Sequence, residues 1–490
     1  MDRHLSEDQL TRHVYRTLTD AQREMMDIHL GTCQECRASL AGHEALQRRA
    51  RYSVMDRRRG ISMSPQASFA DIAPRLRRSR RFATLWTGSR QFVYGLATLA
   101  VLVVLAFGLA LYFRDISQSA ESMYKGGPQR TGAYDVKGPK HGELLWQFTT
   151  KSTIMTTPVV VDGVAYVGSQ DGFLRALDSH TGEEKWKFDA GRPVLSTPAV
   201  ARGTVYFGSG CIGGSDYCLR RRAGSDYYFY ALDRQTGQEK WRFQVGGGVA
   251  SSPLIAHGLV YFGSEDQHLY ALDSRTGQQK WRFTTEDVVW GSPAMADGVV
   301  YFGAGCYLCT TSEDRHLYAV DSQTGREMWR FETGDWVEST PVVADGVVYF
   351  GSGDTHVYAV DSQTGQEKWR FKTEGGVQDS LALSAGVVYV GSRDQHLYAI
   401  DSRTGQELWK VETGGASLYG PAIADGVVYF GSNATSDLYA LDSQTGQVLW
   451  RFQNFVSCCH SGGSGLALGE GVMYIVSDNV NLTAVGDPQQ

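Results

Sequence analysis

Apolar and polar positions over residues 141–490 recur in a pattern close to 40 residues long. One period reads STPVVADG (339–346), VVYFGSG (347–353), HVYAVDS (356–362) and EKWRFKT (367–373). Each piece alternates or runs apolar over the length of a short strand, and the breaks between pieces are rich in Gly and Asp. Four such strands joined by tight turns predict one antiparallel blade per period, and a row of blades predicts an all-β propeller. The fourth-strand tryptophans set the count: Trp146, Trp186, Trp241, Trp281, Trp329, Trp369, Trp409 and Trp450 are separated by 40, 55, 40, 48, 40, 40 and 41 residues. Eight blades are therefore expected. The last lacks a fourth strand after VMYIVSDNVNLTAV (472–485), while ELLWQFTT (143–150) is left over at the front. The two parts are expected to share a blade and close the ring, which removes exposed strand edges.

A turn of the form Asp-x-x-Thr-Gly stands before the next tryptophan at Asp178, Asp233, Asp273, Asp321, Asp361, Asp401 and Asp442. Asp and Thr side chains brace such a turn by hydrogen bonds while Gly takes a positive φ. The tryptophan beyond it is expected to pack between neighbouring blades.

Upstream the pattern changes. The stretch from Phe92 to Phe113 holds 22 uncharged, overwhelmingly apolar residues. As a helix it spans roughly 33 Å, enough to cross a bilayer, so a transmembrane helix is expected over 91–113. Arg75, Arg77, Arg78, Arg80 and Arg81 precede it and only Arg114 follows closely. The positive-inside rule then keeps residues 1–90 cytoplasmic and the propeller outside, in a single-pass protein of the cytoplasmic (inner) membrane. Residues 114–140 are expected to form an extracytoplasmic stalk. At the other end, SEDQ (6–9) and TDAQ (19–22) are helix-start signals ahead of Leu10, Val14 and Leu18, and of Met25, Met26 and Ile28. Residues 1–50 therefore predict a small all-α head, and residues 51–90, Arg-rich without an apolar period, a linker along anionic lipid.

The net charge of −6 hides an asymmetry: residues 1–90 hold seventeen Arg, no Lys and ten acidic residues. No known nucleic-acid-binding fold accompanies this basic run, so direct nucleic-acid binding is not expected. The cysteines divide along the same line. Cys33 and Cys36 lie on the reducing side, where a close pair favours metal over disulfide. His29 and Cys33 are four apart, on one face if helical, and Cys36 follows three later. Zinc needs four nitrogen or sulfur ligands, and His4 is expected to complete the set, with His13 in reserve. A head of about fifty residues has little core, so the metal would supply folding energy.

The other six cysteines, Cys211, Cys218, Cys306, Cys309, Cys458 and Cys459, all sit in departures from the 40-residue period. Blade two carries an insertion at GCIGGSDYCLRRRAGSD and blade four at GCYLCTTSED, both in the turn between second and third strands. A third, with SCCHSGG, precedes the last blade. In a four-strand blade these turns and the inter-blade connections share one face, so all three decorate the same side. Local disulfides pinning the loops are one reading, a redox-responsive or ligand-touching role the other, and six cysteines leave the connectivity open. Arg220, Arg221, Arg222, Tyr227, Tyr228, Trp290 and Trp336 are the candidate ligand-contacting residues of this face. His268, His316, His356 and His396 recur at equivalent positions on separate blades and are expected to be strand-surface residues, not converging ligands.

Two resemblances follow from these residues. His4, His29, Cys33 and Cys36, with HLSEDQL at the start and HLGTCQEC after two short helices, resemble the zinc-binding anti-sigma domain over residues 1–50. That resemblance implies a Zn²⁺ ion on these four ligands and an extracytoplasmic-function sigma factor as partner. The repeats resemble the β-propeller of quinoprotein alcohol dehydrogenases and of the outer-membrane assembly lipoprotein, which fixes the fold and leaves the function open. The adjacent Cys458 and Cys459 are similar to the vicinal disulfide of the quinoprotein dehydrogenases, yet no calcium ligands or catalytic Asp of those enzymes can be assigned. Pyrroloquinoline quinone (PQQ) and enzymatic activity are not expected. The leading expectation is a membrane anti-sigma regulator whose propeller senses an extracytoplasmic protein, a small molecule or a redox signal. The alternatives are a membrane-tethered envelope scaffold and a tethered PQQ-dependent dehydrogenase.

Overall fold

The computed structural model describes residues 125–487, apart from 126, 128, 131, 211–225, 306–313, 379, 415–419, 433–436, 453–464, 470 and 478. These belong to the second of the chain's two units, Ala106–Gln490. The expected head (1–50), linker (51–90) and transmembrane helix (91–113) lie outside the described residues. Among the described residues no helix is long and apolar enough to cross a membrane.

The strands form eight four-stranded antiparallel sheets, one for each expected blade. Blade 1 comprises Val159–Val161, Val164–Gly168, Phe173–Asp178 and Glu184–Asp189, numbered here from the channel outward. Blades 2 to 7 repeat this order over residues 199–245, 254–284, 294–332, 342–372, 382–412 and 422–452. Blade 8 takes Ala467–Gly469, Val472–Ser477 and Asn481–Gly486 from the end of the chain. Its outer strand is Glu143–Thr149, with Thr149 opposite Asn481 and Glu143 opposite Gly486, so the front and back of the chain close the ring as expected. The inner strand of blade 1 touches those of blades 2 and 8.

Packing explains the residue pattern. Second strands such as Val347–Gly351 are sandwiched between neighbouring blades and are apolar on both faces, which is why VVYFG does not alternate. Outer strands such as Glu367–Lys372 alternate exposed and half-buried positions. Aromatic rings stack within and across blades: Phe350 lies on Tyr358 at 5.3 Å, and Phe331 of blade 4 meets the same Tyr358 edge-on at 5.3 Å. Such pairs add about 1 kcal/mol each beyond their buried area.

The rim joint between blades is one repeated device. Each tryptophan from Trp146 to Trp409 donates Nε1 to a backbone carbonyl in the turn of the next blade, at 2.9–3.2 Å. Its indole lies on the glycine of that turn, where a Cβ would come within 2.6–2.9 Å of the ring. The turn is braced as the sequence suggests: Asp273 Oδ1 accepts from the Thr276 amide and hydroxyl, both at 3.0 Å, and Gly277 has φ 72°. The last joint differs, because blade 8 has no such turn and Gly142 takes its place against Trp450.

The expected stalk (114–140) is not outside the ring from residue 125 onward. Gly132 O accepts from Ile423 N at 2.9 Å and Tyr134 N donates to Ile423 O at 2.8 Å, so the chain runs parallel to the inner strand of blade 7. Tyr134 and Val136 join the apolar cluster between blades 7 and 8. Lys137 O accepts from Gly471 N at 2.8 Å, and Pro139 O accepts from the Tyr429 hydroxyl at 3.2 Å. The segment therefore threads the ring from the face where inner strands begin to the opposite one. Its own sequence, rich in Gly and without an apolar period, gave no sign of this, because it is held by the carbonyl edges of inner strands and not by a hydrophobic stripe.

Candidate binding site at the channel mouth

Inner strands begin at the face that carries the insertions, and the residues just before them line the mouth of the channel. In blades 1, 2, 3 and 5 they read Thr156-Thr157-Pro158, Ser196-Thr197-Pro198, Ser251-Ser252-Pro253 and Ser339-Thr340-Pro341. The first hydroxyl of blades 1, 2 and 5 turns back into its own blade. Thr156 Oγ1, for example, donates to Gly168 O at 3.0 Å and accepts from Gly168 N at 2.9 Å; Ser196 and Ser339 bind Gly208 and Gly351 in the same way. The second hydroxyl laces blades together: Thr197 Oγ1 accepts from Thr157 N, and Ser292 Oγ from Ser252 N, both at 2.9 Å. All of these groups are buried.

Connector valines complete the lacing. Val194, Val249, Val289, Val337 and Val377 are fully buried and cover Gly168, Gly208, Gly263, Gly303 and Gly351, where a Cβ would lie 2.2–2.5 Å from a valine methyl. Each of these five glycines is therefore required for close approach.

The regular pattern fails in blades 6, 7 and 8, which present Ser380-Leu381, Gly420-Pro421 and Gly465-Leu466 instead. Two cations from the threading segment enter the mouth, one at blade 7 and one at blades 3 and 4. Lys125 donates Nζ to Pro421 O at 2.5 Å, and a Cβ on Gly420 would meet that Nζ at 2.8 Å. Arg130, fully buried, donates Nε to Pro293 O at 3.1 Å and Nη2 to Ser252 O at 3.1 Å and Pro253 O at 2.8 Å. Gln129 O accepts from Val343 N at 3.0 Å. The segment thus touches blades 3, 4, 5 and 7. Neither Lys125 nor Arg130 was singled out by the sequence; the only available signal was the recurrent hydroxyl-Pro start of the inner strands.

On the same face, the turn between second and third strands is braced by a repeated Asp-x-His-x-Tyr set. Asp266, Asp314, Asp354 and Asp394 accept the hydroxyls of Tyr270, Tyr318, Tyr358 and Tyr398 at 2.7–2.9 Å. They also accept backbone amides from the connector of the preceding blade, such as Gly334 N on Asp354 at 2.7 Å. Burial first, and the adjoining carboxylate second, raise these tyrosines above their ordinary pKa, so they remain protonated donors. His268, His316, His356 and His396 each hold Nδ1 against their own Asp at separate turns, a local brace and not a converging site.

In blade 1 the set becomes Asp171 and Arg175, a buried pair at 2.6 Å. Burial would raise the Asp171 pKa, but the hydrogen bond and charge of Arg175 outweigh it and hold the carboxyl low.

Of the candidate ligand residues, Trp290 and Trp336 are nine-tenths buried. Trp336 covers Gly353, where a Cβ would meet the indole at 2.4 Å, and it serves packing. Trp290 Nε1 has no hydrogen-bond partner among the described residues. Tyr227 and Tyr228 are half-buried in blade 2, with the guanidinium of Arg192 5.6 Å from the first ring and that of Arg242 5.0 Å from the second. Arg220, Arg221, Arg222 and all six outer cysteines lie outside the described residues, as do His4, His29, Cys33 and Cys36. Among the described residues no group of three or more His, Cys, Asp or Glu is placed to hold a metal ion. What the mouth offers to cationic hydrogen-bond donors is the carbonyl oxygens at the strand starts, the described hydroxyls being engaged in lacing the blades.

Among solved structures, BamB from Moraxella catarrhalis is similar at 19% identity and a TM-score of 0.56, over 71% of this chain and 99% of that one. The computationally designed Ika8 protein is similar at 18% and 0.59, over 71% and 100%. A europium-containing methanol dehydrogenase is similar at 15% and 0.60, over 74% and 90%. At such identities the likeness is one of fold. No curated protein matches in sequence. A family model described as outer membrane protein assembly factor BamB matches residues 133–227, 223–305, 284–384 and 353–487, the whole ring and most of the chain. Its first match begins at 133, inside the threading segment and ahead of the closing strand, and on this evidence the chain belongs to the BamB family of eight-bladed, PQQ-like β-propellers.

Proposed function

We propose that the chain is a single-pass regulator of the cytoplasmic membrane. Its propeller, outside, binds a protein partner of the envelope, and its N-terminal head holds an extracytoplasmic-function sigma factor through a surface shaped by Zn²⁺ on His4, His29, Cys33 and Cys36. The observation that carries the binding role is the channel mouth, filled by the chain's own Arg130 and main chain. A guanidinium seated there leaves the described mouth residues no flat bed for a quinone, which favours a binding ring over a dehydrogenase. Family membership supports the same role, since the family's description names an assembly factor. The sigma-factor part rests on the ligand spacing and on the apolar stretch that separates it from the propeller.

The test is capture by the tagged full chain. A sigma factor is expected to co-purify, the preparation to contain about one zinc per chain, and His29→Ala and Cys33→Ala to abolish both. Capture of envelope proteins alone, with no sigma factor and no zinc, would leave the tethered scaffold reading. A quinone absorbance with dye reduction would reinstate the dehydrogenase.

A further inference from the structure

The backbone of the threading segment is strained. Lys125 and Arg130, neither of them glycine, have φ of 59° and 57°. Left-handed geometry crowds the Cβ of an L-residue against its following carbonyl oxygen, and it persists only where the surroundings over-determine it. Here they do. Gly132 N donates to Lys125 O and Arg130 N to Gly127 O, each at 3.0 Å, folding the segment into a compact turn that presents the Arg130 side chain to blades 3 and 4.

Inner strands have an unpaired edge facing the channel, and buried carbonyls on such an edge need donors. Prolines at 253 and 293 sit where the strands begin, and their carbonyls, with that of Ser252, converge on one guanidinium. A planar fork of five N–H groups matches this divergent set of acceptors; a compact ammonium does not. Two to four residues further along, Gly132 and Tyr134 pair in parallel with Ile423, the geometry of a peptide added to a sheet edge. An arginine anchor followed by strand pairing is a peptide-recognition arrangement, and in this structure its ligand is part of the same chain.

We propose that the channel mouth is a receptor for an extended peptide bearing an arginine, occupied in cis by Arg130 and residues 132–134. A tethered occupant has an effective concentration of order millimolar. An outside peptide therefore displaces it only with additional contacts. Displacement withdraws residues 125–134 from the ring and so acts on the chain that leads to the N-terminal head. That last consequence rests on the function proposed above; the receptor itself does not.

The test uses the full chain with Arg130→Ala, first with methylguanidinium as probe. Millimolar methylguanidinium is expected to raise the Tm of the variant by several degrees, methylammonium to do so much less, and wild type to respond to neither. A labelled peptide of residues 125–136 is expected to bind Arg130→Ala about tenfold more tightly than the same peptide with alanine at its arginine, the loss of a charged anchor. Wild type is expected to bind neither peptide at that concentration. Equal responses to the two cations, or equal affinities for the two peptides, overturn the proposal. If Arg130→Ala does not fold, Arg130→Gln, which is shorter and uncharged but keeps two N–H donors, carries the same expectations. Sigma-factor capture is not measured here, so failure of the receptor and failure of the proposed function are read separately.

Discussion

At the rim, every tryptophan from Trp146 to Trp409 meets the same glycine turn and the same kind of carbonyl in the next blade. At the mouth, the hydroxyl-Pro start holds in blades 1 to 5 and gives way in blades 6 to 8, where Gly420 makes room for Lys125. The two regions sit on the same strands but answer different demands. A joint repeated from blade to blade has to be nearly the same each time, or the angular error accumulates. A site that binds one asymmetric segment has to differ from blade to blade.

The largest effects should come from breaking the rim. Gly277→Ala combines left-handed strain with a Cβ 2.7 Å from Trp241, whereas Gly258, also at positive φ, has nothing within 4 Å of its Cβ position. The first is expected to cost about 3 kcal/mol and the second about 1 kcal/mol. Chemical denaturation of the two variants measures the difference, and equal losses would show that strain rather than the indole contact governs the joint.

Acid should separate rim from mouth next. Asp178 is held down to about 2, chiefly by its hydrogen bond to Lys185 and then by the His180 amide. Asp321, Asp401 and Asp442 are lowered by the hydroxyls and amides of their turn threonines, and Asp361 by Lys368 first. At Asp233 and Asp273 burial acts upward, and the turn hydrogen bonds outweigh it. Carboxyls with a depressed folded pKa bind fewer protons folded than unfolded. Their stabilisation is present above the unfolded value of about 4 and is lost as pH falls from there through the folded values. Tryptophan fluorescence during an acid titration should therefore report loosening of the rim below about pH 4. Arg130 does not titrate in that window, and the exchange protection of the Ile423 amide, which donates to Gly132 O, should fail only with the ring itself.

The smallest effect is expected from a surface pair. Lys368 bridges Asp361 at 3.1 Å in blade 5, while blades 6 and 7 carry the exposed Leu408 and Leu449 in the corresponding place. Lys368→Leu should change stability by less than about 0.5 kcal/mol. A larger loss in thermal unfolding would mean that the turn aspartates depend on lysine more than on threonine.

The eight blades, the closure by Glu143–Thr149 and the role of the Asp-x-x-Thr-Gly turn were legible because each depends on local pattern repeated at a fixed interval. The histidines, expected on strand surfaces, open the third strands part-buried, each against its own Asp. The two tryptophans proposed as ligand contacts were harder. Trp290 and Trp336 do lie in connectors of the decorated face, but a connector in a propeller is covered by the next blade, and both are buried.

What the sequence determined by itself is the repeated unit, since strand period, turn chemistry and tryptophan spacing are properties of neighbours along the chain. What only the tertiary structure decided is where Arg130 goes. Three of its acceptors are 122 to 163 residues away in sequence. They become a site only when ring closure turns the free edges of blades 3 and 4 toward a common axis, and no local pattern around residue 130 encodes that convergence.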